Sequence, residues 1–138
     1  VKLSASLLAA LALSLAAPAA WAQDKVVYHF DSGLSQATAG LRNMYNHLEA
    51  DPKVKIVAVA HADGVNFLME GAKDRLGPFD ARVQDLMSQG VRFQVCEITL
   101  RNLKLKKDQF IIGVEFVPSG VAQITHLQQR EGYAYLKP

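Results

Sequence analysis

Val54-Lys55-Ile56-Val57-Ala58-Val59-Ala60 is apolar at every position but one, and it ends abruptly at His61-Ala62-Asp63. A run this short and this continuously apolar suits a strand covered on both faces, as in a parallel sheet. Working outward, Val26-Val-Tyr-His-Phe30 has the same character and stops at Asp31-Ser32-Gly33, a turn signal. Between the two runs, residues 35–49 place Leu41, Met44, Tyr45 and Leu48 at helical spacing. Asp51-Pro52 should end that helix, because the residue before proline avoids the α region.

Downstream the alternation continues. Val65 to Ala72 reads as a helix offering Phe67, Leu68 and Met69 for packing, and Gly77-Pro78 punctuates the loop after it. Phe79, Val83, Leu86 and Met87 form another apolar stripe, closed by Gly90. Val91-Arg-Phe-Gln-Val-Cys96 alternates like a strand, and Glu97-Ile-Thr-Leu100 begins a helix. Phe110 to Val117 reads as a fourth strand ending at Pro118-Ser119-Gly120. Val121, Ile124 and Leu127 mark a last helix ended by Gly132, and Tyr133 to Leu136 closes the chain as a strand. Strand and helix alternate throughout. The pattern predicts one α/β domain over residues 23–138, with an open, mostly parallel five-stranded sheet and helices on both faces.

The first 22 residues read differently. Lys2 is the only charge before Asp24, and an Ala- and Leu-rich run follows it to Pro18, then Ala20-Trp21-Ala22. A basic start, an apolar centre and a small-x-small end is the pattern of a secretory signal peptide, with cleavage after Ala22. The stretch is barely long enough to span a bilayer, and Pro18 interrupts it. The expected location is therefore the periplasm, with membrane contact only transient, through the leader.

Composition narrows the function. The chain has 138 residues, of which 50% are hydrophobic and 20% charged, with 15 Lys and Arg against 13 Asp and Glu. That mixture excludes a disordered or coiled-coil chain. The near balance of charge argues against a nucleic-acid partner. One cysteine excludes an intramolecular disulfide framework and a multi-cysteine metal centre.

In open parallel sheets ligands sit beyond the carboxyl ends of the strands. That rule selects Asp31, Ser32 and Gly33; His61 and Asp63; Cys96 with Glu97; and Ser119. With strand order 2-1-3-4-5, Asp31 and Cys96 would face each other across the crevice. Cys96 closes a strand and opens a helix, so free N–H groups should point toward its sulfur and favour the thiolate. Thr99 could add a hydroxyl, whereas Glu97 pointing inward would raise the thiol pKa. A buried, inert cysteine is the competing reading. Asp31-Ser32-Gly33 could cradle an anion at the following helix start, yet no GxGxxG or GK[ST] loop accompanies it. Ser119 is placed to cap the last helix. Among the four histidines no close metal pair occurs. His61 with Asp63 could supply ligands or a base with its orienter, but loop polarity explains them too. His47 and His126 fall on outer helix positions. Tyr133 and Tyr135 suit a core or an interface.

Gly90-Val-Arg-Phe-Gln-Val-Cys96, Pro118-Ser-Gly-Val-Ala-Gln-Ile and Gln128-Gln-Arg-Glu-Gly-Tyr-Ala-Tyr-Leu-Lys-Pro138 together resemble the DsrE/DsrF-like family, most closely its exported, largely uncharacterised branch. The resemblance runs from about Lys25 to Pro138. It implies a flavodoxin-like, DsrE-like α/β domain that forms a homo-oligomer, a trimer or hexamer. For some members it also implies sulfur relay through a persulfide on one cysteine, and Cys96 matches that position. Those members are cytoplasmic and work with dedicated partner proteins, from which an exported chain departs. The leading expectation is a sulfur-handling protein that takes sulfane sulfur on Cys96 and exchanges it with a donor or acceptor protein or a small thiol. The alternative is a non-catalytic small-ligand-binding or assembly module. A third reading binds metal through His61, Asp63 and Cys96. No cofactor is called for, and nothing in the pattern commits the chain to enzyme catalysis.

Overall fold

A computed structural model describes residues 22–138; the expected leader falls almost entirely outside them. Five strands make one sheet: β1 (Lys25–Phe30), β2 (Lys55–Ala60), β3 (Arg92–Cys96), β4 (Glu115–Val117) and β5 (Ala134–Leu136). All neighbours pair in parallel. The helices are α1 (Leu34–Ala50), α2 (Phe79–Ser88), α3 (Glu97–Leu103) and α4 (Gly120–Glu131). No helix among the described residues is long and apolar enough to cross a membrane.

The strand order is β4-β3-β2-β1-β5, not the expected 2-1-3-4-5. Each of the first three connections steps one strand in the same direction. The last jumps back past β3, β2 and β1 to the opposite edge. Because β-crossover-β units are right-handed, reversing the direction of travel moves the connecting helix to the other face. Thus α4 lies alone on one face and α1 and α2 lie on the other. The reversal falls between β1 and β5. Asp31 and Cys96 consequently do not face each other across a crevice, because β2 and His61 lie between them.

The period of two along each strand divides the core cleanly. Val26, Tyr28, Phe30, Ile56, Ala58, Ala60, Phe93 and Val95 face the larger cluster with Leu41, Met44, Phe67, Phe79, Val83 and Leu86. Val27, Val57 and Val59 face the smaller one with Ile124, Leu127 and Tyr133. His29, Gln94 and Cys96 share the parity of the thinner face. There Gln94 is buried, donating to Glu115 and accepting from Gln123, while Arg92 also donates to Glu115.

Two expected elements are shorter than the sequence suggests. Residues 65–72 do not form an α-helix. A 3-10 turn over Ala62–Leu68 leads to a two-residue antiparallel ribbon, Lys73–Asp74 with Gly77–Pro78. Gly64 packs against the end of β1 so closely that a Cβ would lie 2.2 Å from the Phe30 carbonyl oxygen, an approach only glycine permits. The fourth strand does not start at Phe110. Phe110 bridges Met69 antiparallel, and the chain turns at Gly113 with φ of +97° before β4 begins. On α4, Val121 is 58% exposed, so Ile124 and Leu127 alone carry the buried stripe.

Candidate functional site: a cysteine cleft and a histidine pair

The carboxyl ends of β2, β3 and β4 open into a cleft of about 370 Å³ lined by His61, Asp63, Cys96, Thr99 and Ser119, with Ile98, Leu103 and Val121 among its walls. Five of the residues selected from sequence therefore meet in one cavity. Asp31, Ser32 and Gly33 do not line it.

Cys96 is the last residue of β3 and the N-cap of α3. It is 5% exposed, yet its edge borders the cleft. Burial pushes the thiol pKa up, but the backbone N–H groups of Gly120, Thr99 and Ile98 and the Thr99 hydroxyl together draw it below its ordinary value. These donors come from the starts of α3 and α4, where helical N–H groups lack partners within the helix. Gly120 is what allows α4 to approach. A Cβ there would lie 3.2 Å from both the Cys96 and His61 Cβ atoms. Ser119 caps α4 by accepting from the Ala122 N–H at 3.3 Å, as expected. Thr99 is buried, and its hydroxyl accepts from the Ala62 N–H at 2.9 Å. Ala62 itself is held at φ +49°, unusual for a residue with a Cβ, and such conformations gather at functional sites. Glu97 turns away to pair with Lys107 at 2.7 Å and is not among the groups acting on the thiol.

At the adjacent ends of β1 and β2 a second constellation forms, which the sequence did not disclose. His29 Nε2 stands 2.6 Å from His61 Nε2, and His29 Nδ1 stands 2.6 Å from the Tyr135 hydroxyl. Parallel pairing of Phe30 with Ala60 sets Asp31 beside His61. Burial first, and then the neighbouring His61, hold the His29 pKa below its ordinary value. Asp31 is ion-paired with Lys137 at 2.7 Å, which lowers its carboxyl pKa to about 2.

Three expectations change here. The Asp31-Ser32-Gly33 turn offers no anion cradle from its first two amides, because Asp31 N–H and Ser32 N–H both donate to the Gln36 side-chain oxygen. Among the described residues, His61 groups with His29 and Asp31 rather than with Asp63 and Cys96. His47 is half-buried on the inner side of α1, 3.1 Å from the Tyr28 hydroxyl, whereas His126 is exposed beside Glu131. Tyr133 is core, and Tyr135, 45% exposed, reaches the histidine pair. The signal that could have found the pair is positional. Residues 29 and 61 end neighbouring runs and share a parity, but a separation of 32 residues hides them from any motif scan.

Residues 4–138 match the DsrE/DsrF-like family. A solved structure of a protein of unknown function, MTH1491 from Methanobacterium thermoautotrophicum, is 33% identical, covers 84% of this chain and 100% of its own, and superposes with a TM-score of 0.76. The ychN protein from E. coli has the same fold, with a TM-score of 0.68 at 17% identity over 84% of this chain and 99% of its own. No curated protein matches the chain. The five-stranded parallel α/β sheet and the match over nearly the whole sequence place this chain in the DsrE/DsrF-like family.

Proposed function

We propose that the chain is an exported sulfur-handling protein that binds or relays sulfane sulfur as a persulfide on Cys96. The observation that carries this reading is the set of N–H donors from Gly120, Thr99 and Ile98 around a cysteine that borders a cleft. A thiolate is the sulfur nucleophile, and donors of this kind favour it. The step is a displacement. Cys96 thiolate attacks the outer sulfur of a polysulfide or small organic persulfide, R–S–SH. The new bond joins Cys96 Sγ to that sulfur, the donor's S–S bond breaks, and R–S⁻ leaves with the electron pair. Cys96–S–SH is one of the reversible caps on cysteine. Periplasmic location is part of the proposal, supported by Lys2, the apolar run and Ala20-Trp21-Ala22. So is self-association as a trimer or hexamer. The exposed Ile98, Leu103 and Val121 around the cleft support that assembly, as does a sheet face covered by one helix.

The test is mass spectrometry after polysulfide treatment of the native chain. The expected result is a gain of one sulfur atom, absent in Cys96→Ser. The second reading, a small-ligand-binding or assembly module without sulfur chemistry, is favoured by the 5% exposure of Cys96. It predicts that wild type and Cys96→Ser take up equally little sulfur, and that result would overturn the relay.

A further inference from the structure

We propose that His29, His61 and Asp31 form a binding site for a divalent transition-metal ion at the carboxyl edge of β1 and β2. This inference does not rest on the sulfur reading. The candidate ligand atoms, one from each residue, all lie within 4.8 Å of one another. The fold brings them together through register: β1 and β2 pair in parallel from Lys25 with Lys55 to Phe30 with Ala60, so residues 29, 31 and 61 share one side of the sheet.

The two ring nitrogens face each other. Their separation is 2.6 Å and that of the ring centres is 4.8 Å, so both nitrogens lie close to the line joining the rings. A proton fills that gap in a hydrogen-bonded pair. A tetrahedral ion with metal–nitrogen bonds of about 2.0–2.1 Å would hold the nitrogens roughly 3.3 Å apart, so the pair must open by roughly 0.7 Å. His61 is the ring able to move, since its other nitrogen has no hydrogen-bond partner among the described residues.

The surroundings suit a metal site. Liganding histidines usually engage a polar group through their second nitrogen, which fixes the tautomer and the ring. Tyr135 does this for His29 Nδ1, so Nε2 is the nitrogen turned toward His61 and available to a metal once that contact opens. Asp31 is oriented by the Ser32 hydroxyl and the Gln36 side-chain amide, both on Oδ1. Ligands must be deprotonated before they bind. The Asp31 carboxylate and the neutral forms of the His29 and His61 rings are the species that would supply the ligating lone pairs. Two imidazoles with one carboxylate suit zinc, cobalt, nickel or iron better than calcium or magnesium, which prefer all-oxygen sites. Lys137 Nζ, 2.7 Å from Asp31 Oδ2, is the competing cation that a metal would displace.

The test is calorimetric titration of the untagged full chain with Zn²⁺, paired with the visible absorption of bound Co²⁺. One ion per chain is expected. Loss of outer partners of a metal site typically weakens binding about 10–100-fold, so His29→Ala and His61→Ala should each weaken it by ~100-fold or more. His126→Ala, far along the chain and already paired with Glu131, should leave it unchanged. Lys137→Met, a surface change that does not threaten the fold, should tighten binding several-fold. Absence of stoichiometric binding, indifference to both histidine substitutions, loss on His126→Ala, or weaker binding in Lys137→Met would each overturn the site.

Discussion

On one face of the sheet Phe30, Phe67, Phe79 and Phe93 are fully buried, with ring centres 5.0–6.2 Å apart around Phe67. On the other, α4 alone covers Val57 and Val59. The polar groups Gln94, Glu115, Arg92 and His29 share that side with Cys96. The thick face is a packed aromatic and aliphatic layer, where any loss of volume leaves a cavity. The thin face keeps its polar groups satisfied by one another and puts Cys96, His29 and His61 at the strand ends. Under the proposed function, stability and chemistry fall on opposite sides of the same strands, with β1 contributing Phe30 to one and His29 to the other.

The comparison can be broken in four ways. Cys96→Ser should abolish sulfur uptake from polysulfide while moving the unfolding midpoint little, as read by mass spectrometry and denaturant titration together. A large destabilisation would mean that the thin face is structural as well. Phe67→Ala should do the reverse. It removes a fully buried ring, and such changes destabilise by about 3–5 kcal/mol, measurable in urea, with sulfur uptake per folded molecule retained. Gly120→Ala should push α4 away from Cys96, since its Cβ would sit 3.2 Å from two neighbours. Withdrawing that amide should raise the thiol pKa and leave less thiolate at neutral pH. Alkylation should slow in proportion.

The smallest effect concerns the Asp31–Lys137 pair. Asp31 titrates at about 2 in the folded chain, against 3.8 for an unperturbed aspartate. Its contribution to stability is complete above the unfolded value and is lost as pH falls through the folded one. Lys137→Met should lower the thermal midpoint slightly at pH 7, where the pair is fully formed, and converge on wild type as pH falls from 4 toward 2; the offset is small because the pair is largely solvated.

Much of the fold was legible because parallel strands covered on both faces are written as unbroken apolar runs. Val54 to Ala60 and Val26 to Phe30 could be read directly. The strand order was not legible, since it depends on which way each crossover travels, and no residue encodes that locally. Val65 to Ala72 failed as a helix because Gly64 must press against the end of β1 and the next turn is held through tertiary contacts. Phe110 looked like a strand residue because it is apolar, but it pairs through an isolated bridge to Met69 while its ring packs into the core edge-on to Phe116. At the site, Cys96, Thr99 and Ser119 could be found from position alone. The meeting of His29 with His61 required the register of β1 on β2, and Tyr135 joined them only because β5 returns to the edge beside β1.

The most direct measurement is the rate of Cys96 alkylation by a neutral reagent, followed against pH in the native chain. Modification is expected without unfolding, with an apparent pKa below the ordinary value of a cysteine thiol. A thiol that reacts only after denaturation, or that titrates at or above that value, would contradict that expectation.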